Sequence, residues 1–523
     1  LVGTDVFLWD GRLVYHVACA GSTLTVKYLK QDNSQRNGRL FTRAALCFPL
    51  LNRIIGVCFC MREKYSAKRY LHFDRVCSYH NVRSRVEDPK WVAQHGFFPF
   101  IYFEKTFDRF IRYDYIDPET KAKMIKIKKR PIMYASHIDS FIYSFYSDAF
   151  NDKYNQWSKE HNIDSCATAY RNNKRGKSNI HYAAEVIQFI VNSSGCYIMV
   201  GDYHDFFGSL NHGYLKSRLK EVLQKQDLDK DEYAVLKSVM KYAYVDKKGL
   251  EKYLRMHGTN IEKLKVYFTT GKEFRLFKDQ AKILGLLRKN DENDEKIGIP
   301  QGSAISAVLA NVYMIKIDEE INRVVRKYNG MYRRYSDDFI VLIPQDDKVD
   351  LTIFNSVKNE IKKIIDKGEL TLQEQKTKTL VFQDSTIRDV ETNKLVSLDY
   401  LGFCFDGIDV KVRQKSIYKF YRNAYTLIKK AWKKTREKHC SRLMYRRKIY
   451  RLYTYLGKKP HKIKRKNTVY YGNFLSYIER AQKVFQKIDK INCCIPQQVK
   501  NCKKKVFNKM HKVQNLLNQN QGI

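Results

Sequence analysis

The stretch YRRYSDDFIVLIP, residues 332–344, sets two adjacent carboxylates, Asp337 and Asp338, between two apolar runs. Apolar strand, tight turn and apolar strand predict a β-hairpin with Ser336 and Asp337 near its tip. Taken alone, an acid there needs no special account, because Asp is common in turns. Two neighbouring carboxylates repel each other, however. In a chain of formal charge +42, the pair makes sense if something strongly positive is meant to sit there.

A second acid strengthens that reading. In CYIMVGDYHDFFGSLNHGYL (196–215) an apolar strand ends at Gly201–Asp202, followed by a turn and a helix start. An acid at a strand end can be brought beside the hairpin within one sheet. Asp202, Asp337 and Asp338 would then form a carboxylate cluster of the kind that holds two divalent cations about 3.5–4 Å apart. Mg²⁺ suits such a site because it prefers oxygen ligands and leaves positions for substrate phosphates. Between the two acidic sites lies GIPQGSAISAVLANVYM (298–314), where Gly298, Pro300 and Gly302 shape a turn. A small loop of this kind lets backbone approach a planar base or sugar closely. The text that follows, SAISAVLANVYMIKIDEEI, reads as one helix with small residues on one face.

Composition points the same way. The 523 residues hold 97 Lys+Arg against 55 Asp+Glu, with 44% hydrophobic and 13% aromatic residues. This is a globular composition whose basic excess predicts a polyanionic partner, nucleic acid before anionic membrane. The apolar run AALCFPLLNRIIGVCFC (44–60) is interrupted by Pro49, Asn52 and Arg53, so no spanning helix of about 18 residues is expected. The twelve cysteines are scattered without CxxC modules, as in reduced thiols of an intracellular, cytoplasmic protein.

Along the chain, residues 1–60 show little sustained helical or strand period. A regular, charged text begins at MREKYSAKRYLHFD, so Met61 is expected to be the native start, with 1–60 a dispensable extension. RPIMYASHIDSFIYSFYSDAF (130–150) reads as a strand entering a helix. FIVLI (339–343) reads as a strand, TIFNSVKNEIKKIIDKG (352–368) as a helix closed by Gly368, and LGLLRKNDENDEK (284–296) as a charged surface loop. Residues 405–523 hold 32 Lys+Arg and 5 Asp+Glu, a net +27. Within them, FYRNAYTLIKKAWKKTREK spaces its apolar residues as an amphipathic helix does. A charge run is usually a solvated face, but this excess surpasses what solubility needs and reads as nucleic-acid binding.

Taken in order, GDYHDFF, GIPQGSAIS, YSDD, LQEQKTK and LDYLGF closely resemble the palm motifs of reverse transcriptases, over roughly residues 130–405. The resemblance implies an α+β, right-hand polymerase of fingers, palm and thumb, with an antiparallel palm sheet and a helical basic C-terminal thumb and extension. It implies that Asp202, Asp337 and Asp338 are the catalytic, metal-binding acids, holding two Mg²⁺ ions with Mn²⁺ as a substitute. Gln301 and Gly302 would line the pocket for the template–nucleotide pair. Lys376 matches the lysine that helps protonate departing pyrophosphate, and Leu401, Gly402 and Phe403 match the primer-grip turn. Phe207 stands five residues after Asp202, where the family places an aromatic steric gate; a ring beneath C2′ leaves no room for a ribose hydroxyl. In ATAYRNNKRGKSNIHYA, Arg171 best matches the residue that grips the triphosphate, with Lys174, Arg175 and Lys177 as helpers; a guanidinium binds phosphate oxygens bidentately.

The stretches YLHFD, HGFFPFIYF and RPIMYASHIDSFIYSFY resemble standalone bacterial enzymes of the defence-associated and abortive-infection group. That subgroup implies antiphage defence, a structured non-coding RNA as template and partner, a DNA primer and product, and dNTP substrates. The implied domains are an extension (1–60), an N-terminal region (61–129), fingers (130–195), palm (196–404) and a basic thumb and RNA-binding extension (405–523). Two alternatives stay open: a template-independent or protein-primed polymerase on the same palm, and a non-catalytic, maturase-like RNA-binding protein. The second has no need of metal-ligating acids.

Overall fold

The computed structural model describes residues 64–110, 125–290, 296–347, 349–459, 461–463, 468–470 and 472–519, and three strands nearer the start of the chain. The chain divides into two compact units, Leu1–Lys64 and Tyr65–Ile523. In the first, β1 (Gly3–Trp9), β2 (Arg12–Cys19) and β3 (Ser22–Lys27) form an antiparallel meander in which Gly3 faces Ala18 and Val14 faces Lys27. This corrects the expectation that residues 1–60 lack strand period. Each run is short but rich in β-branched and aromatic residues, and Asp10–Gly11 and Ala20–Gly21 fall between them in the sequence, as hairpin signals do. Met61 lies outside the described residues.

In the second unit, β4 (Phe100–Phe110) and β5 (Ile125–Tyr134) make a long antiparallel ribbon. The chain then enters helix α1 (His137–Glu160), capped by the Ser136 side chain, and later α2 (Asn179–Asn192). After β6 (Gly195–Asp202), β7 (Ala243–Asp246) adds parallel to β4, and β8 (Leu287–Lys289) closes the order β5-β4-β7-β8. The expected loop at 284–296 therefore contains a strand. Leu287 is buried against β7 and its neighbours, which its charged surroundings concealed; residues 291–295 lie outside the described part. The expected single helix after the GIPQGS turn is two, α3 (Ala304–Tyr313) and α4 (Ile315–Arg326), parted at Met314 with no Gly or Pro at the break.

The central sheet has the order β12-β11-β6-β10-β9 and is antiparallel throughout. Its strands are β9 (Met331–Tyr335), β10 (Asp338–Pro344), β11 (Lys378–Gln383) and β12 (Thr386–Asp389) around β6, with helix α5 (Leu351–Lys367) between β10 and β11. Alternate residues serve two cores. Ile198, Ile340 and Leu342 pack against Val186, Ile187 and Ile190 of α2, while Met199, Val341 and Ile343 join the core of α3, α4 and α5. Burial on both faces is why CYIMV and FIVLI read as unbroken apolar runs instead of alternating ones.

Beyond the sheet, β13 (Leu398–Tyr400), β14 (Phe403–Phe405) and β15 (Asp409–Val412) lead into α6 (Gln414–Glu437). Phe420, Ala424, Ile428 and Ala431 of α6 pack on Val506, Met510, Val513 and Leu517 of α8 (Cys502–Gln519), and α7 (Phe474–Phe485) joins them. The basic residues are thereby left to the outer faces of a helical lobe. The tail is not wholly helical: Asn492–Cys493 pairs parallel to β15, and His461–Ile463 pairs with Thr468–Tyr470. Among the described residues no helix is long and apolar enough to cross a membrane.

Candidate active site

The antiparallel register of β6 and β10 sets Asp338 directly opposite Asp202. The Ser336–Asp337 tip turns between β9 and β10 with Ser336 at φ +62°, the positive first position of a II′-type hairpin. Gly201 makes room for this. A Cβ there would lie 2.5 Å from the Phe339 ring across the strand pair, so the residue before Asp202 carries none.

Like charges opposite one another on neighbouring strands are unfavourable. Burial, then the charge of Asp202, push Asp337 above the usual carboxylate range. Asp338 is exposed to solvent. Its partial desolvation, then the charges of Asp337 and Asp202, push it up to about 6 against the pull of Arg413 and Lys376. The Lys376 ammonium bonds Asp202 Oδ2, whereas Asp202 Oδ1 is buried with no hydrogen-bond partner.

That orphaned oxygen, beside two carboxyl groups whose ionised forms are disfavoured, is the donor set a hard divalent cation suits. Among the described residues no group of three or more His, Cys, Asp or Glu side chains is already drawn together as a metal cluster. The acids are adjacent, not converged, and an ammonium holds part of the charge.

The GIPQGS turn lies against both the steric-gate candidate and the β4–β5 ribbon. Ile299 N donates to Phe207 O at 2.9 Å, Gly298 N to Leu210 O at 2.8 Å, and Met133 N to Gln301 O at 2.8 Å. Gly302 sits at φ +124°, and a Cβ on it would meet Met133 O at 2.5 Å. Phe207 is half-buried, its ring edge-on to Phe206 with centroids 5.5 Å apart. The structure thus brings Phe207, Gln301 and Gly302 together with the end of β5. Lys129 and Arg130, exposed on that end, were missed from sequence, although KIKKRPI displays them in a basic run.

Arg171 is placed differently from the expectation. Its guanidinium is buried, with Nη2 2.5 Å from Asp164 Oδ1, Nε 2.5 Å from Asn155 Oδ1 and Nη1 3.1 Å from Ala167 O, over the Tyr154 ring. Burial works to raise Asp164, but the Lys174 hydrogen bond and the Arg171 charge prevail and hold it below its ordinary value. Arg171 and Lys174 are thus engaged by their own segment, while both also line the cavity at Lys177. Lys177 is half exposed, pairs with Glu185 at 2.7 Å, and lines a shallow cavity of about 350 Å³ with Tyr170, Tyr182 and Tyr335.

Leu401 and Gly402, both at positive φ, form the tip of the β13–β14 hairpin, while Phe403 is buried against Phe485. Two residues that sequence reasoning missed hold this tip. Asn179 Nδ2 donates to Leu401 O at 2.9 Å and to Tyr477 of α7 at 3.0 Å, and Arg413 N donates to Gly402 O at 2.9 Å. Arg413 also pairs with Asp399 and extends its charge to Asp338.

Residues 192–405 match the family model for reverse transcriptase (RNA-dependent DNA polymerase). The matched span includes Asp202, Phe207, Gln301, Gly302, Asp337, Asp338, Lys376 and Leu401–Phe403, but not Arg171 or Lys177. No curated protein sequence matches the chain. Among solved structures, apo telomerase from Candida tropicalis truncated from its C-terminal domain shares 13% identity over 55% of this chain and 53% of that one, with a TM-score of 0.35. Apo telomerase from the same organism shares 12% identity over 71% of this chain and 61% of that one, with a TM-score of 0.33. Telomerase from Candida albicans in complex with a TWJ fragment of telomeric RNA shares 12% over 83% and 65%, with a TM-score of 0.34. The chain thus spans less than two thirds of each of these chains, and similarity this low carries no weight below.

Proposed function

We propose that this chain, which carries a reverse transcriptase domain over residues 192–405, is an RNA-directed DNA polymerase whose catalytic acids are Asp202, Asp337 and Asp338. The observation that carries the reading is the strand register that sets Asp338 opposite Asp202, with Asp337 next to Asp338 at the hairpin tip, and with the Gln301 turn hydrogen-bonded to Phe207 O through Ile299 N. The primer 3′-hydroxyl oxygen attacks the α-phosphorus of a dNTP. A new P–O bond forms, the α–β bridging bond breaks, and pyrophosphate leaves. Two Mg²⁺ ions held by the three acids, with Mn²⁺ as a substitute, would supply the charge that activates the hydroxyl and stabilises the leaving oxygen.

Around that chemistry the protein's own groups orient and exclude. Phe207 closes the space below C2′ and selects dNTPs, and Gln301 and Gly302 offer backbone to the templated pair. Lys376 is the proton donor for the pyrophosphate, and Leu401–Phe403 guide the primer. Lys177 is the fingers residue that remains for a phosphate contact, while Arg171 acts through its segment. The basic helical lobe binds the RNA–DNA duplex by phosphate neutralisation. A structured non-coding RNA as template and a bacterial antiphage role are supported by the resemblance of YLHFD, HGFFPFIYF and RPIMYASHIDSFIYSFY, and a cytoplasmic setting by the scattered cysteines without CxxC modules.

The test is Mg²⁺-dependent incorporation of labelled dNTPs by purified protein with its co-purifying RNA, beside an Asp337→Ala/Asp338→Ala variant. Product lost in the variant and after ribonuclease pretreatment supports the reading, and its sequence identifies the template. Product that resists ribonuclease yet needs the acids means template-independent or DNA-templated synthesis. No incorporation with any supplied template moves the protein to the class of RNA-binding proteins.

A further inference from the structure

Among the described residues the largest fully buried side chain belongs to the acidic hairpin and is itself charged: Arg334 on β9. Its partner Asp318, in the first turn of α4, is equally buried. Nε donates to Asp318 Oδ1 at 2.9 Å and Nη2 to Oδ2 at 2.7 Å, a bidentate pair. Tyr332 Oη donates to the same Oδ1 at 2.8 Å. Nη1 donates to Asn311 Oδ1 and to Ser336 O, each at 3.1 Å. A buried ion pair is often no more stable than apolar residues of equal volume, so its presence calls for a use other than stability.

We propose that Arg334 is a positioning residue for catalysis, whose guanidinium fixes the tip of the hairpin and with it the aim of Asp337. This inference rests on the polymerase reading. Ser336 O belongs to the peptide plane that joins Ser336 to Asp337, so a hydrogen bond to it sets where the Asp337 side chain begins. Ser336 is also the strained residue of the tip, a non-glycine at φ +62° that needs support from its surroundings.

The arginine's own backbone is braced as well. Its N–H donates to Cys166 O at 2.8 Å, and its carbonyl accepts from Thr168 N and Oγ1, each at 2.9 Å. Segment 166–170 thus covers the outer edge of β9. Asn311 Nδ2 ties that segment to α3 through Ala169 O at 3.0 Å, and Ser336 Oγ lies 3.3 Å from Tyr170 Oη. One arginine therefore joins three parts: its backbone holds the 166–168 segment, and its guanidinium holds the helices after the GIPQGS turn and the hairpin tip.

The experiment compares wild type, Arg334→Lys, and an apolar replacement of the network, R334M/D318L/Y332F, on an RNA template with a DNA primer. Lysine keeps the charge but loses the fork. The readouts are folded fraction by circular dichroism, primer–template Kd, kcat for single-nucleotide addition, and the Mg²⁺ concentration giving half-maximal rate. Both variants are expected to fold and to bind primer–template like wild type. Their kcat should fall by roughly 100-fold, as for a catalytic group misplaced by about 1 Å, with half-saturation displaced to higher Mg²⁺. A folded variant with the wild-type kcat and Mg²⁺ half-saturation overturns the proposal. So does an activity loss that only tracks the folded fraction while the Mg²⁺ midpoint stays put. Wild type that adds no nucleotide sinks the polymerase reading, and this one with it, whereas active wild type beside an indifferent R334K sinks this one alone.

Discussion

Replacing Gly302 with alanine adds one carbon to the GIPQGS turn at a place with no room for it. The new Cβ would lie 2.5 Å from Met133 O and 3.4 Å from Ile132 Cγ2, with the residue held at φ +124°. A backbone region so unfavourable for L-residues costs about 1–3 kcal/mol. Relieving the clash also stretches the neighbouring Met133 N to Gln301 O hydrogen bond, which contributes about 1 kcal/mol net. Gly302 is exposed, and the turn is anchored by buried Ile299 and Ile305, so the strain is relieved by moving the turn and not by unfolding the domain. If Gln301 and Gly302 shape the pocket for the templated pair, a penalty of about 2–4 kcal/mol becomes a fall of roughly 30- to 1000-fold in kcat/KM, at about 1.36 kcal/mol per decade. The assay is single-nucleotide incorporation opposite an RNA template, with thermal unfolding measured in parallel. Gly285→Ala is the control: it too has positive φ, +62°, but nothing lies within 4 Å, so kcat/KM should hold. A G302A enzyme within about threefold of wild type would refute the placement of this turn at the nascent pair.

Phe207→Ala should admit ribonucleotides, lowering discrimination against them by roughly 10- to 200-fold, the range for losing a steric fit in a pocket; competition between dNTP and rNTP on one template measures it. Arg171→Ala should destabilise the fold by about 1–3 kcal/mol, because it takes the Nε donor from buried Asn155 Oδ1 and opens the space beside Tyr154, while Asp164 keeps Lys174 and the dNTP KM of the folded enzyme stays put. A raised KM at unchanged thermal stability would restore the phosphate-gripping role. For Asp338, pushed up to about 6, nucleotide addition at limiting metal should rise with pH through that value, since only the ionised carboxylate ligates a cation. The stability effect has the opposite sign. The folded state keeps a proton that the unfolded chain releases nearer pH 4, so stability falls as pH rises from about 4 to 6. Without metal, Asp338→Asn should be the more stable protein above pH 6 and lose that advantage near pH 4, as chemical denaturation at the two values would reveal.

The hairpin, the strand ending at Asp202 and the intervening turn were legible because each announces itself locally. Apolar runs end at an acid, and a glycine stands where the backbone turns or must stay bare. The cluster was legible only as a possibility of pairing; the register that puts Asp338 opposite Asp202 is a long-range fact. The partners of Arg171 and Lys174 were hidden for the same reason. Arg171 and the lysines of segment 166–177 suit a phosphate, but Asp164 and Asn155, which occupy Arg171, are brought to it by the turn after α1 and by α1 itself. Asn179 and Arg413 gave no signal at all, since what they hold, the Leu401–Gly402 tip, is distant from Asn179 in sequence. The early strands were there to be read in short β-branched runs with glycine between them. The break at Met314 was not, because no helix-breaking residue marks it.

These contacts also answer why so basic a chain leaves its central acids short of partners. With 97 Lys and Arg against 55 Asp and Glu, neutralising three carboxylates would be easy. Instead the cations near them are held off or half committed. Arg413 is paired with Asp399 and reaches Asp338 only through space, and Arg334 is buried in the hairpin, its fork committed to Asp318 and its remaining bonds to Asn311 and the Ser336 carbonyl. Among the described residues only Lys376 touches one of these acids directly, and it leaves Asp202 Oδ1 buried and unbonded. A protein arginine forked onto these carboxylates would satisfy them permanently and leave nothing for an incoming cation to do. One ammonium, itself two-fifths exposed and bonded to one oxygen, offsets part of the cluster's charge and can still be displaced. The same displacement would free the Lys376 amine to serve a departing phosphate, so the residue that quiets the acids at rest is suited to act only once they have found their charge elsewhere.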